Sequence, residues 1–324
     1  MYAKIFVSRV LLQTVFRLRN KSMMCNSKRI SEFNVPVPWG YIAVKAWGDE
    51  NDEAILVSHG RLDNAGAFDR LIPYLPNSFY YICIDLPGHG KSSHFSPHLP
   101  IYTTNYVLVY KLLAQYFKRQ SYIIMGHSYG GQIGFLFAQL YPNLVKKLIL
   151  LDTVHMYPVS VKDFKYYLID SFNSTIKLTE KLKTGNPPSY TYEEALNKLL
   201  HGRQGTPLTT EAATALLRRA VEPTGDGKYT FTFDQRMKNF INPTHDFRYI
   251  LEALREDPVT CPILIVLGEH SFTKIDMELI LQELSKLSNV SVEYVDGYHD
   301  IHNNNPDRVA PIVNKFLITQ KGKL

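Results

Sequence analysis

A serine with glycine at both second neighbours is the first feature of this sequence that could do chemistry. Gly126-His127-Ser128-Tyr129-Gly130-Gly131 has the form G-x-S-x-G. The apolar run Tyr122–Met125 leads into it as a strand, and a helical stretch leads out from Gly130 to Tyr141, stopped by Pro142. A chain that passes from strand to helix at one residue turns sharply there, and only small residues two positions away let the two elements come close. A hydroxyl at such a turn is exposed and becomes a nucleophile when a base takes its proton. Past the last predicted strand lies Gly297-Tyr298-His299-Asp300-Ile301-His302. His299 comes first after the glycine and before the final helix, so it is read as the base, with His302 as the second candidate or a supporting loop histidine. A carboxylate must then hold the imidazole tautomer and stabilise the imidazolium. Two strand ends offer one: Asp152, after Leu148–Leu151, and Glu269, in Gly268-Glu269-His270-Ser271 after Ile263–Leu267.

Two other motifs carry less. Gly90-Lys91-Ser92 invites a phosphate-loop reading, but that loop needs a glycine five residues before Gly90, and Asp85 stands there. A nucleotide site is excluded, and the glycines of Asp85–Ser92 are read as a tight structural loop. His59-Gly60 ends the apolar run Ile55–Ser58, and His59 is read as a structural histidine that supports the loop.

The elements that must position these residues follow a pattern. Strands are expected at Tyr41–Trp47, Ile55–Ser58, Tyr80–Ile84, Tyr122–Met125 and Leu148–Leu151, then at Ile263–Leu267 and Ser291–Val295. Helices are expected at about 102–118, 130–141, 275–287 and 306–318. In the first of these, Val109, Leu112, Leu113, Tyr116 and Phe117 fall on one face. Strand–helix alternation of this kind gives a mostly parallel sheet covered on both faces, with its chemistry at the carboxyl ends of the strands. The alternation lapses over 153–261. That stretch is mostly helical in pattern, with Ser160/Asp163 and Thr191/Glu194 as capping-box pairs, a helix face at Leu196, Leu199 and Leu200, and a short extended piece at Lys228–Phe233. It is read as an inserted helical cap, with 32–152 and 262–324 as the core and 1–31 as a basic extension.

Composition sets the outer bounds. The 324 residues are 45% apolar and 20% charged, which is ordinary for a globular chain. The net charge of +6 is concentrated at the start, in Lys4, Arg9, Arg17, Arg19, Lys21, Lys28 and Arg29, with no acid before Glu32. The body is near neutral and shows no footprint for nucleic acid. Cys25, Cys83 and Cys261 are too scattered for a disulfide framework or a metal cluster, and Cys83 and Cys261 are read as buried thiols in a reducing interior compartment. Ile5–Phe16 is too short to span a bilayer, so no transmembrane segment is expected. The acid-free, Arg-rich leader has the character of a mitochondrial transit peptide, while Lys321-Gly322-Lys323-Leu324 is a weak match to a peroxisomal address; a cytoplasmic location stays open beside both.

Residues 55–151 and 262–318 resemble the α/β-hydrolase family throughout, on His59-Gly60, the Asp85–Ser92 loop, the Gly126–Gly131 elbow and the His299 loop. His59-Gly60-Arg61-Leu62-Asp63-Asn64-Ala65, Leu150-Leu151-Asp152-Thr153 and Phe233-Asp234-Gln235-Arg236-Met237 further resemble the animal serine hydrolase-like, or kraken-like, proteins. The family resemblance implies an α/β-hydrolase fold, a chain order of serine, acid, histidine, and an oxyanion hole built from the backbone N–H groups of Arg61 and Tyr129. Such a donor contributes about 10²–10³ in rate in a worked case. Relatives usually carry Gly-x-x-Asp after the strand that follows the cap. Here Ser271 holds the Asp position, which raises Asp152 as the acid and leaves Glu269 as the alternative. Serine at the elbow argues against dehalogenase and epoxide hydrolase chemistry, whose relatives place an aspartate there.

The expected activity is hydrolysis of a carboxylic ester, or a thioester, through an acyl-serine, on a small apolar substrate. It needs no metal and no cofactor. Tyr157, Phe164 and Tyr167 are candidates for an apolar lining under the cap. The competing reading is a non-catalytic small-molecule-binding protein on the same fold.

Overall fold

The computed structural model describes residues 28–319, apart from 97–99, 186, 204–206, 240 and 243–244. The leader up to residue 27, with Cys25, and the terminal Lys321–Leu324 lie outside the described residues. In chain order the first strands are β1 (Ile30–Val37), β2 (Gly40–Trp47), β3 (Glu53–Ser58) and β4 (Phe79–Ile84). Helix α1 (Asn105–Phe117), β5 (Tyr122–His127), α2 (Tyr129–Leu140) and β6 (Val145–Leu151) follow. A largely helical segment comes next: α3 (Phe164–Thr184), α4 (Tyr192–His201), α5 (Thr210–Ala220), the ribbon β7 (Val221–Pro223) and β8 (Tyr229–Phe231), and α6 (Phe247–Glu256). The chain ends with β9 (Ile263–Gly268), α7 (Thr273–Asp276), α8 (Glu278–Leu284), β10 (Val290–Val295), α9 (Ile301–Asn304) and α10 (Pro306–Ile318).

Eight strands form one sheet in the order β1-β2-β4-β3-β5-β6-β9-β10. The β1–β2 and β2–β4 pairs are antiparallel and the others parallel. The central parallel strands β3, β4, β5 and β9 are short, mostly apolar runs because both faces are covered, whereas β10 at the edge is largely exposed. Alternate residues feed opposite cores: Leu56, Ile82, Ile124, Leu148 and Ile265 join one, Val57, Cys83, Met125, Ile149 and Leu264 the other. Ser58 lies beside Gly126, His127 beside Leu151, and Leu151 beside Val266. The carboxyl ends of β3, β5, β6 and β9 are therefore level, and the loops that leave them share one edge.

Several expectations are corrected. β1 is a strand the sequence reading lacked, and it takes in residues assigned to the extension. Lys28 is anchored as well, its ammonium donating to the carbonyls of Ile72 and Leu75 at 2.9 and 2.8 Å. The helix expected over 275–287 is two, α7 and α8, with Met277 between them. The Thr191/Glu194 capping box forms at the start of α4. The one at Ser160 does not: α3 starts at Phe164, and Ser160 takes part in the preceding turn, where its hydroxyl accepts from Lys162 N–H. Cys83 is buried, but Cys261 is only partly so. Among the described residues, no helix is long and apolar enough to cross a membrane.

Candidate active site

Ser128 stands at the turn between β5 and α2 with φ 47° and ψ −119°, a conformation that costs an L-residue energy and persists only where its surroundings hold it. The hold is visible. Ser128 N–H donates to Leu151 O at 3.0 Å, and a Cβ on Gly130 would lie 2.5 and 2.6 Å from the carbonyl oxygens of Ser58 and His59. A Cβ on Gly126 would collide with the Gly131 backbone. Both glycines are therefore required for the close approach of strand, helix and the loop after β3.

His299 Nε2 lies 2.9 Å from Ser128 Oγ, and His299 Nδ1 lies 2.6 Å from Asp152 Oδ2. A carboxylate only accepts, so Nδ1 carries the proton and the Nε2 lone pair faces the hydroxyl. Asp152 is fully buried, with φ 48° just past β6. Its Oδ1 accepts from Gly268 N–H at 2.7 Å, and its Oδ2 accepts from Ser271 Oγ at 2.5 Å and from Thr273 Oγ1 at 3.1 Å. Ser271 thus donates to the carboxylate from the neighbouring strand end. Glu269 is exposed, with its carboxylate grouped with His270 and Asp296 within 4.8 Å. Of the two candidate acids, the structure brings Asp152 to His299 and leaves Glu269 at the surface.

Three buried histidines support this arrangement. His59 Nδ1–H donates to Gly60 O at 2.7 Å and its Nε2 accepts from Leu86 N–H at 2.9 Å, as a loop-supporting residue should. Burial pulls its pKa down. His127 Nε2–H donates to the backbone carbonyl of His299 at 3.0 Å, and burial, with His299 beside it, lowers its pKa to about 3. The His302 ring lies against His127, tilted by 31° with centroids 4.0 Å apart, and burial holds its pKa well below 6.5. It contacts neither Ser128 nor Asp152 by hydrogen bond. Phe272 lies against the His299 ring at 4.7 Å.

The residues of the two expected oxyanion donors lie at the start of α2 and in the loop after β3. Tyr129 opens α2 directly after Ser128. Arg61 follows the β3 end that packs on Gly130. Burial lowers the pKa of the Arg61 guanidinium. A cavity of about 230 Å³ is lined by Tyr157, Tyr167 and Asn242 together with Pro158, Val159, Ser160 and Asp163. Tyr157 also hydrogen-bonds Thr273, which holds Asp152. Phe164, expected in an apolar lining, is 46% exposed and takes no part, so the lining is mixed rather than apolar. At the Asp85 loop, Asp85 accepts from Ala65 N–H and Lys91 N–H and pairs with Arg219 at 2.7 Å, a structural task.

Residues 53–306 match the alpha/beta hydrolase fold family. The chain belongs to that family. It is similar to human serine hydrolase-like protein 2, 32% identical over 300 residues, which cover 89% of this chain and 94% of the relative. It is similar to the serine hydrolase-like protein of Danio rerio, 32% identical over 319 residues, which cover 96% and 95%. Among solved structures it resembles the hypothetical protein PA1622 of Pseudomonas aeruginosa PAO1, with TM-score 0.79 and 24% identity over 89% of this chain and 99% of that one. At that identity the likeness speaks for the fold alone. In this α/β-hydrolase-family chain, the supporting groups missing from the sequence reading are Ser271, Thr273 and the carbonyl-holding role of His127. Only the Ser271 substitution left a trace in the sequence.

Proposed function

We propose that this protein is a serine hydrolase that cleaves a carboxylic ester, or a thioester, through an acyl-serine intermediate. The observation that carries the reading is the continuous chain Ser128 Oγ–His299–Asp152 with the base lone pair aimed at the hydroxyl. In the proposed cycle His299 takes the Ser128 proton as Oγ attacks the acyl carbon, and Asp152 steadies the imidazolium. The backbone N–H groups of Arg61 and Tyr129 hold the oxyanion. His299 returns the proton to the leaving group, then activates water to release the acid. The reading treats 153–261 as a cap over the site.

The test is labelling and turnover. A fluorophosphonate probe should label wild-type Ser128, and Ser128→Ala should abolish both labelling and p-nitrophenyl acetate hydrolysis. Stability should stay within about 2 kcal/mol, since no packed core side chain is removed. Undiminished turnover in purified Ser128→Ala would sink the assignment. An unlabelled wild-type protein would favour the binding-protein reading.

A further inference from the structure

Asp63 and Asp300 are both 3% exposed and sit on the two loops this chemistry depends on. Asp63 is two residues past Arg61, in the loop after β3, and Asp300 directly follows His299. Between them lies Arg203, just past the end of α4, with its side chain 19% exposed. Arg203 Nη1 donates to Asp63 Oδ1 at 2.6 Å, and Nη2 is 3.3 Å from Asp300 Oδ1. The other Asp63 oxygen, Oδ2, faces His127 Nδ1 at 3.8 Å, and the opposite nitrogen of that ring holds the His299 carbonyl. The sequence explains how Arg203 arrives there: Leu196, Leu199 and Leu200 seat α4 on the core that contains Phe68 and Ile72.

We propose that Arg203 is a positioning residue for the Ser128–His299 site. Through it, the segment between β6 and β9 holds the oxyanion loop and the base loop at fixed separation. The inference rests on the reading of Ser128 and His299 as nucleophile and base. A guanidinium presents a planar fork that can hold two carboxylates at once, which a lysine ammonium cannot reproduce. Burial opposes the charge on Arg203, but the Asp300 and Asp63 carboxylates outweigh burial and raise its pKa. Remove the cation, and two buried carboxylates on different loops are left facing each other without compensation. The loops then part, and the Ser128–His299–oxyanion geometry goes with them. Asp63, His127 and Asp300 also present donor atoms within 4.8 Å of one another, a set that could take a divalent cation. Arg203 already bridges both carboxylates, so the cluster is read as an ion-pair clamp.

The experiment is a double-mutant cycle on the full chain with Arg203→Met, Asp300→Asn and the pair, plus Arg203→Lys. It reads kcat and KM for p-nitrophenyl acetate, the rate of Ser128 labelling, and melting temperature. Arg203→Met should lower kcat and labelling about 10–100-fold with KM changed less than about threefold, as misplacement of reacting groups does. Arg203→Lys should recover part of that loss. Adding Asp300→Asn to Arg203→Met should restore activity relative to Arg203→Met alone, because one uncompensated charge is gone. Wild-type kcat in Arg203→Met overturns the proposal, and so does an additive cycle in which activity merely tracks melting temperature. Should Arg203→Met not fold, the same judgement falls on Arg203→Lys, where unchanged kcat and labelling overturn it. A wild-type rate lost to EDTA and regained with Zn²⁺ would also overturn it and give the cluster to a cation. If the wild type neither labels nor turns over, the parent reading has failed and this one falls with it; if the wild type is active and Arg203→Met equals it, this inference alone has failed.

Discussion

Asp152 is gripped from one side and used from the other. Gly268 N–H, Ser271 and Thr273 bind it from the β9 side, and His299 takes the remaining approach. An amide in its place has one acceptor oxygen for two groups of donors, and its NH₂ must face one of them. It also leaves the imidazole in the wrong tautomer, which cost about 10⁴ in kcat in the serine-protease case. Asp152→Asn should therefore lower kcat about 10²–10⁴-fold, while exposed Glu269→Gln changes it less than about tenfold. Ser271→Ala should cost about tenfold, the size of one hydrogen bond to a charged group. Steady-state kinetics on the three variants checks this; wild-type rates in Asp152→Asn would remove the carboxylate from the mechanism. At this scale Ser128 and His299 are legible because the strand–turn–helix context fixes one and chain position the other. Asp152 was one of two strand-end acids, and only the register between β6 and β9 separates them. Arg203 was not legible, since nothing local tells which carboxylates a guanidinium will meet.

Short apolar runs between helical periods announced β2 to β6, β9 and β10. The central ones are apolar along most of their length because both faces are buried, while β10, at the far edge, is buried only at Val295. β1 obeys a different rule. It is the outer antiparallel strand, and only Val35 is buried in it. Phe33, Val35 and Val37 alternate with polar neighbours, but Pro36 and the basic residues just ahead weaken the pattern. A proline is tolerated there because an edge strand leaves some of its N–H groups unpaired. Pairing along its whole length with β2 makes β1 part of the domain. A chain starting at Gly40 should thus melt at least about 5 °C below one starting at Lys28, and should aggregate more readily with β2 as the new edge. Thermal melts and light scattering of the two truncations test this, and coincident melting would show that β1 adds nothing.

The molecule as a whole is pinned across its layers by buried polar groups, and that sets its response to pH. Arg203 and Arg219, both from the segment between β6 and β9, reach acids that follow core strands. Four buried histidines are also kept neutral by folding. Burial lowers His127 from an ordinary 6.5 to about 3 and His155 to about 4, and holds His89 and His302 well below 6.5. Each of these groups is neutral when folded and takes a proton when unfolded below about pH 6.5. The unfolded state therefore binds more protons than the native state in that range, and stability rises with pH there. Their contribution is complete above about 6.5 and is lost as pH falls from there toward about 4 for His155 and about 3 for His127. His155 isolates the effect, because it packs against Phe135 at a centroid distance of 5.0 Å and has no part in the Ser128–His299–Asp152 chain. A group with those folded and unfolded values accounts for about 2 kcal/mol of stability lost between pH 7 and pH 5. His155→Phe should remove that share. Urea denaturation at the two pH values should show wild type losing about 2 kcal/mol more than the variant, with activity at pH 7 intact. Equal losses in the two proteins would mean that His155 carries its proton in the folded state, and that acid lability arises elsewhere in the fold.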